Sequence, residues 1–169
     1  MTDLKLTIRR ELPADAEAVE KLHERAFGPG RFSRTAFRLR EGVPPLADLS
    51  FTALVGTLIV GSVRVSPVMA GEEPALVLGP LTVDPAFENR GIGAALMNAS
   101  LDAARKAGHS LVLLVGDAPY YARFGFAPVP PGQFTLPGPV DPRRFLACPL
   151  QDGVMERARG PVTALRRDR

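Results

Sequence analysis

The chain has a single cysteine, Cys148, among 169 residues. No internal disulfide can form, nothing points to an oxidising compartment, and a lone cysteine of this kind reads as a small buried hydrophobe. No apolar run approaches the roughly 20 residues that span a bilayer. The opening segment, Met1 to Asp15, lacks the pattern of a secretory leader. The expectation is a cytoplasmic protein with no membrane partner. There is also no dense Lys/Arg stripe and no aromatic platform set between basic residues. The basic side chains are mostly arginine and lie scattered, so nucleic acid is not an expected partner. Internal repeats are absent. What remains is ordinary for a globular protein, with 46% hydrophobic and 23% charged residues. The length fits one domain, 1–169, able to bury roughly 70% of its unfolded surface. The net charge of +3 suits the attraction of an anionic ligand.

Patterning divides the chain into short elements. Leu4 to Leu12 reads as a strand, with Leu6 and Ile8 on one side and Thr7 and Arg9 on the other. Pro13 suits a helix start. Ala16, Val19, Leu22, His23 and Ala26 then form a helical stripe, which Gly28-Pro29-Gly30 breaks. A shorter helix is expected over Ser33 to Arg40, its arginines forming a solvated face or meeting a phosphate or an acidic acceptor. Phe51–Val55 and Leu58–Val68 read as a hairpin about Gly56-Thr57, and the segment from Gly71 to Pro74 turns into a central strand. After Phe126 the chain is dense in proline and glycine, which excludes a regular helix or a central strand there. Phe145–Leu150 and Gly160–Leu165 are expected strands, and 166–169 a frayed tail. This proline-rich part, 126–169, is assigned to the same domain.

The stretch from Leu76 to Phe126 organises the rest. Two continuous apolar runs, Leu76–Val83 and Leu111–Val115, suit strands covered on both faces. Between them lies a helical pattern with Ile92, Ala95, Leu96, Ala99 and Ala103 in one stripe. Arg105 and Lys106 sit in its last turn, where positive charge suits the dipole, and Gly108 stops it. The helix is the crossover that parallel strands require. At its mouth lies Glu88-Asn89-Arg90-Gly91-Ile92-Gly93. Gly91 and Gly93 remove side chains that would keep a ligand from the backbone. The first helical amides have no intrahelical acceptor, and with the dipole they make an anion site suited to a pyrophosphate.

Two common loops are ruled out. A kinase-type loop requires Gly-Lys-Ser/Thr, and Gly93 is followed by Ala94-Ala95. A dinucleotide fingerprint requires a third glycine where Leu96 stands. The pattern present is Arg-Gly-x-Gly-Ala after a strand ending Leu-x-Val-Asp-Pro. Here the sequence resembles the GNAT N-acetyltransferase superfamily, and more narrowly its YhbS-like bacterial members, through GPLTVDPAFENRGIG, GHSLVLLVGD and YYARFGF. These motifs cover about a third of the chain. The loop departs from the family pattern at Glu88, where glutamine or arginine is usual. The family loop binds mainly through backbone amides, so a carboxylate there can point to solvent.

The resemblance implies an α/β fold with a mixed, mostly antiparallel sheet. Its two parallel central strands splay apart, and helices flank it. Pro80, which removes a ladder donor, agrees with a bulge at the splay. The cosubstrate implied is acetyl-CoA, with no metal. Its pantetheine would lie in the gap against Leu81, Thr82 and Val83. Its pyrophosphate would lie on Asn89, Arg90, Gly91, Ile92, Gly93 and Ala94, and further contacts fall to Asp117, Tyr121 and Phe124. The reaction implied is acyl transfer from the thioester to an amine on a small molecule or peptide, framed by Gly28–Gly30 and the C-terminal loops. Tyr121, four residues before Gly125, stands where the family carries its acid tyrosine; the bland alternative is a packed tyrosine. Tyr120 would face another way.

The general base stays unassigned. Leu76–Val83 has no carboxylate, and Glu72, Glu73, Asp117, His23 or ordered water are the candidates. His23 also reads as a core histidine, and His109 as a capping residue. Phe124, Gly125 and Phe126 also read as packing and turn residues. Two other functions stay open: a degenerate acyl-CoA sensor or scaffold, and a transferase for a longer acyl-CoA. Homodimers are common in the family, so a homodimer is among the expected states.

Overall fold

The computed structural model describes residues 5–27 and 43–165. The expected Ser33–Arg40 helix, the Gly28–Gly30 break and the tail at 166–169 lie outside the described residues.

Strand β1 (Leu6–Arg10) is shorter than the expected Leu4–Leu12. Pro13 does begin helical backbone, but first as a 3-10 turn, Pro13–Asp15, before α1 (Ala16–Phe27). Within α1 only the centre of the expected stripe is buried, at Val19, Leu22 and His23, whereas Ala16 and Ala26 are exposed. Strands β2 (Phe51–Val55) and β3 (Leu58–Ala70) form the expected hairpin. Strand β4 (Glu73–Val83) returns antiparallel to β3. Helix α2 (Ile92–Lys106) crosses over to β5 (Leu111–Val115), which runs parallel to β4. A short α3 (Ala118–Tyr121) follows. The proline-rich part contributes the two-residue strands β6 (Ala127–Pro128) and β7 (Phe134–Thr135), then β8 (Phe145–Pro149), the short α4 (Val154–Arg157) and β9 (Gly160–Ala164).

The sheet order is β1-β2-β3-β4-β5-β8-β6, with β9 paired to the end of β3 and to β7. Among the described residues, only β4–β5 and β7–β9 are parallel. Alternation sorts side chains between two faces. On one face α2 packs over Ala53, Val63, Leu76, Leu78, Val112 and Leu114. On the other, Val77, Leu113, Phe145 and Ala147 meet the C-terminal segment through Phe134, Val154 and Val162. α1 also lies on this second face. Arg9 alternates with Ile8, which points to the α2 side, and the Arg9 guanidinium reaches Asp15 at the start of α1 at 2.7 Å.

The buried side of α2 is rotated from the expected stripe. Ile92, Leu96, Met97, Ser100, Leu101 and Ala104 are buried, and Ala95, Ala99 and Ala103 sit at the margin. Larger side chains decide which side turns inward, because they carry more apolar area. Ser100 joins them by donating from its hydroxyl to Leu49 O at 2.7 Å. The helix ends as expected. Gly108 has φ +85°, and His109 N donates to Ala104 O at 3.1 Å, the closing bond of a Schellman cap. Among the described residues no helix is long and apolar enough to cross a membrane.

Candidate active site

The site begins where β4 and β5 part. Their pairing covers only Leu76↔Val112 and Val77↔Leu113. Beyond it β4 stays on β3, with the register jumping from Val65↔Leu78 to Val63↔Leu81. Gly79 and Pro80 thus face Arg64 as two residues against one, a bulge that bends the strand. Asp84 N donates to Val60 O at 2.8 Å. Because an antiparallel ladder alternates, Thr82 turns its N–H and C=O to β3, whereas Leu81 and Val83 turn theirs to the open gap.

The loop at the gap's mouth is built by local turns. The Asp84 carboxylate accepts from Ala86 N at 3.0 Å and starts a 3-10 turn, Pro85–Phe87. Arg25 at the end of α1 also pairs with Asp84 at 3.1 Å. Asn89 adopts φ +64° and Gly91 φ +78°, both left-handed, which reverses the chain into α2. The first intrahelical bond runs from Ala95 N to Gly91 O at 3.0 Å. The amides of Ile92, Gly93 and Ala94 therefore lie ahead of the helical ladder. A Cβ built on Gly91 meets no atom within 4 Å, so the space before these amides is open. Glu88 is exposed, and Arg90 stacks its guanidinium on the Phe87 ring at 5.4 Å. Free amides, the helix dipole and an arginine together make a cradle for a doubly charged phosphate group.

Two adjacent tyrosines bracket the gap. Tyr121 packs its ring on Gly116, just past β5, where any side chain would collide with it. Tyr120 reaches the other arm: its hydroxyl lies 2.8 Å from where a Cβ on Gly93 would stand, next to Val83 and Leu81. The rings meet edge-on at 4.9 Å, with Phe126 6.1 Å from Tyr121. Burial pushes the Tyr121 phenol up to about 12, with Arg144 pulling the other way, so it holds its proton at neutral pH. Phe124 is 9% exposed and lies in the core beneath both tyrosines. Its ring centroid lies 5.7 Å from that of Tyr120 and 6.5 Å from that of Tyr121. Asp117 is exposed and precedes α3.

Residues 16–126 match the Acetyltransferase (GNAT) family. The chain belongs to that family. It is 32% identical over 123 residues to the uncharacterized N-acetyltransferase YhbS of Escherichia coli K12, an alignment covering 72% of this chain and 73% of that one. The crystal structure of YhbS from Escherichia coli in complex with CoA superposes with a TM-score of 0.82 at 27% identity, over 98% of this chain and 92% of that one. A GNAT acetyltransferase from Brucella melitensis, solved with acetyl-CoA, gives a TM-score of 0.62 at 29% identity, over 86% and 96% of the two chains.

Within this GNAT frame the structure sorts the base candidates. Glu73 sits at the far end of β4, bound to Arg157 at 3.1 Å and to the Ser110 hydroxyl at 2.7 Å. Arg157 and Ser110 hold its carboxyl below the usual range. It serves the fold there. His23 is 5% exposed on α1, its Nδ1 3.8 Å from the Glu20 carboxylate. Two features escaped sequence reasoning: the Tyr120 hydroxyl at Gly93, and Gly116 as the seat of Tyr121. The available signal was a glycine directly after an apolar strand, two small positions that each admit one ring.

Proposed function

We propose that the protein moves an acetyl group from acetyl-CoA to an amine acceptor by direct attack on the thioester. The observation that carries this reading is the gap between β4 and β5 with the α2 amides open at its mouth. The cosubstrate supplies an activated acyl carbon and a thiol leaving group. The chain supplies the rest. The amides of Ile92, Gly93 and Ala94, with Arg90, hold the pyrophosphate. Leu81 and Val83 offer backbone groups to the pantetheine amides, as an added strand would. One of those N–H groups, directed at the acyl oxygen, polarises the carbonyl. Tyr121, protonated at neutral pH, gives its proton to the departing sulfur.

Support from relatives is of two kinds: the family itself, and neighbours solved with CoA or acetyl-CoA. The test is thiol release from acetyl-CoA across a panel of amines, amino acids and short peptides. Acetylated product with at least one class supports the reading. Tight acetyl-CoA binding with no product from any class would replace it with a sensor role.

A further inference from the structure

Tyr120 and Tyr121 are neighbours in the chain but meet different parts of the site. Tyr121 lies on Gly116, just past β5, and Tyr120 turns towards α2. The Tyr120 ring is held on three sides. Tyr121 meets it edge-on at 4.9 Å, Phe124 lies 5.7 Å away, and the Arg123 guanidinium stacks on it at 4.5 Å. Arg123 Nε also donates to the Tyr120 carbonyl at 3.2 Å, so ring and backbone are fixed together. The residue is half-buried, and among the described residues its hydroxyl has no hydrogen-bond partner. A phenol in such a place usually finds one.

The surroundings of that hydroxyl are specific. A Cβ on Gly93 would stand 2.8 Å from it, 3.8 Å from Val83 and 3.9 Å from Leu81. The hydroxyl, the start of α2 and the open arm of β4 thus border one small space. In a helix each Cβ leans towards the N-terminus. At that end the amides of Ile92, Gly93 and Ala94 lie ahead of the helical ladder. Cβ and N of one residue are about 2.5 Å apart, which puts the hydroxyl no more than about 5.3 Å from the Gly93 nitrogen. A single oxygen can accept from an amide at about 2.9 Å and from a hydroxyl at about 2.8 Å when the donors are less than about 5.7 Å apart. This pair of donors meets that condition.

We infer that Tyr120 binds the cosubstrate: its hydroxyl and the Gly93 amide together hold the phosphate that adjoins the pantetheine arm, and the chain thereby selects thioesters that carry this phosphate. The inference rests on the acetyltransferase reading above, which puts the pyrophosphate on the α2 amides and the pantetheine along Leu81 and Val83. The Tyr120 hydroxyl stands where those two segments of the cosubstrate join. A phosphate oxygen is a charged acceptor, and a hydrogen bond to it is shorter and stronger than one between neutral groups. Phenylalanine at this position would keep the ring contacts and lose only that bond. Arg123 is a positioning residue here, acting through the Tyr120 ring and carbonyl. The adjacent tyrosines divide the work: Tyr120 holds the carrier, and Tyr121 serves the departing sulfur.

The test compares wild type with Tyr120→Phe. Acetyl-CoA affinity is measured by calorimetry. KM is measured with a competent amine for acetyl-CoA, acetyl-phosphopantetheine and acetyl-pantetheine, the last of which has no phosphate. Tyr120→Phe is expected to weaken acetyl-CoA binding about tenfold, and to raise KM by a similar factor for the two phosphate-bearing thioesters. KM for acetyl-pantetheine should stay within twofold. A tyrosine that serves packing alone would give no such split. Acetyl-CoA affinity within twofold of wild type, or an equal loss with acetyl-pantetheine, would overturn the inference and leave the acetyltransferase reading intact. A wild type that binds acetyl-CoA but acetylates no amine would sink that reading, while the calorimetric comparison still decides the role of Tyr120. A wild type that binds no acetyl-CoA at millimolar concentration defeats both.

Discussion

Gly93→Ala is a small change with a calculable effect. Gly93 is the second residue of α2, and an added Cβ would stand 2.8 Å from the Tyr120 hydroxyl, 3.8 Å from Val83 and 3.9 Å from Leu81. The last two are ordinary contacts. The first is about 0.5 Å inside the usual C···O approach of about 3.3 Å. Tyr120 cannot simply retreat. The Tyr121 ring meets it at 4.9 Å, Phe124 at 5.7 Å, and the Arg123 guanidinium stacks on it at 4.5 Å. Overpacking of this kind costs about 1–3 kcal/mol. Alanine returns up to about 1 kcal/mol of helix propensity, less in a first turn. The expected net loss is about 1 kcal/mol. Tyr120→Phe removes the offending oxygen, so the double variant should recover the propensity gain. Urea unfolding of the four proteins should give a coupling of about 1–2 kcal/mol. Additivity within about 0.5 kcal/mol would refute the placement of Tyr120 against α2.

Other outcomes follow from the same geometry. Tyr121→Phe should lower kcat about a hundredfold while acetyl-CoA affinity stays within twofold; an unchanged rate removes its acid role. The partly buried Tyr121 phenol sits above its unfolded value of 10.0, at about 12. Its contribution to stability is therefore complete below pH 10 and lost as pH rises towards 12. Denaturant unfolding at pH 9 and pH 11 should show a smaller alkaline loss in Tyr121→Phe than in wild type. For Glu73 the sign reverses. Its folded carboxyl is depressed by Arg157 and Ser110, so it stabilises above the unfolded carboxylate range, and that contribution fades as pH falls through the folded value. Glu73→Gln should lower the melting temperature at pH 7, lose that effect in acid and leave turnover unchanged; lost turnover would reinstate Glu73 as a candidate base.

The legible parts of this molecule share a short-range signal. Leu76–Val83, the Gly91 turn, the Gly108 stop and Leu111–Val115 each announce themselves within a few residues. Together they carry the crossover and the phosphate loop. Pro80 marked the bulge because a missing N–H is visible in the chain itself. The stripe of α2 was drawn too far towards Ala95, Ala99 and Ala103 because spacing counts an alanine as it counts a leucine, whereas burial follows area. Met97 and Leu101 turn inward instead. The Tyr120 hydroxyl was hidden because a four-residue helix has no periodicity to read. The pairing of Arg9 with Thr52, Thr52 with Ser62 and Ser62 with Thr82 was hidden more deeply, because it exists only through register across four strands.

The central claim is that the cradle at Arg90–Ala94 binds the cosubstrate's pyrophosphate. Isothermal titration of wild type and Gly91→Glu with acetyl-CoA tests it most directly. Glutamate at 91 projects a carboxylate into the open space before the α2 amides. At about 5 Å from one phosphate charge, with an effective dielectric constant of about 20, the repulsion is about 3 kcal/mol. The account predicts micromolar binding by wild type and a loss of at least a hundredfold in the variant. No binding by wild type at millimolar acetyl-CoA, or equal affinity in the two proteins, would contradict it.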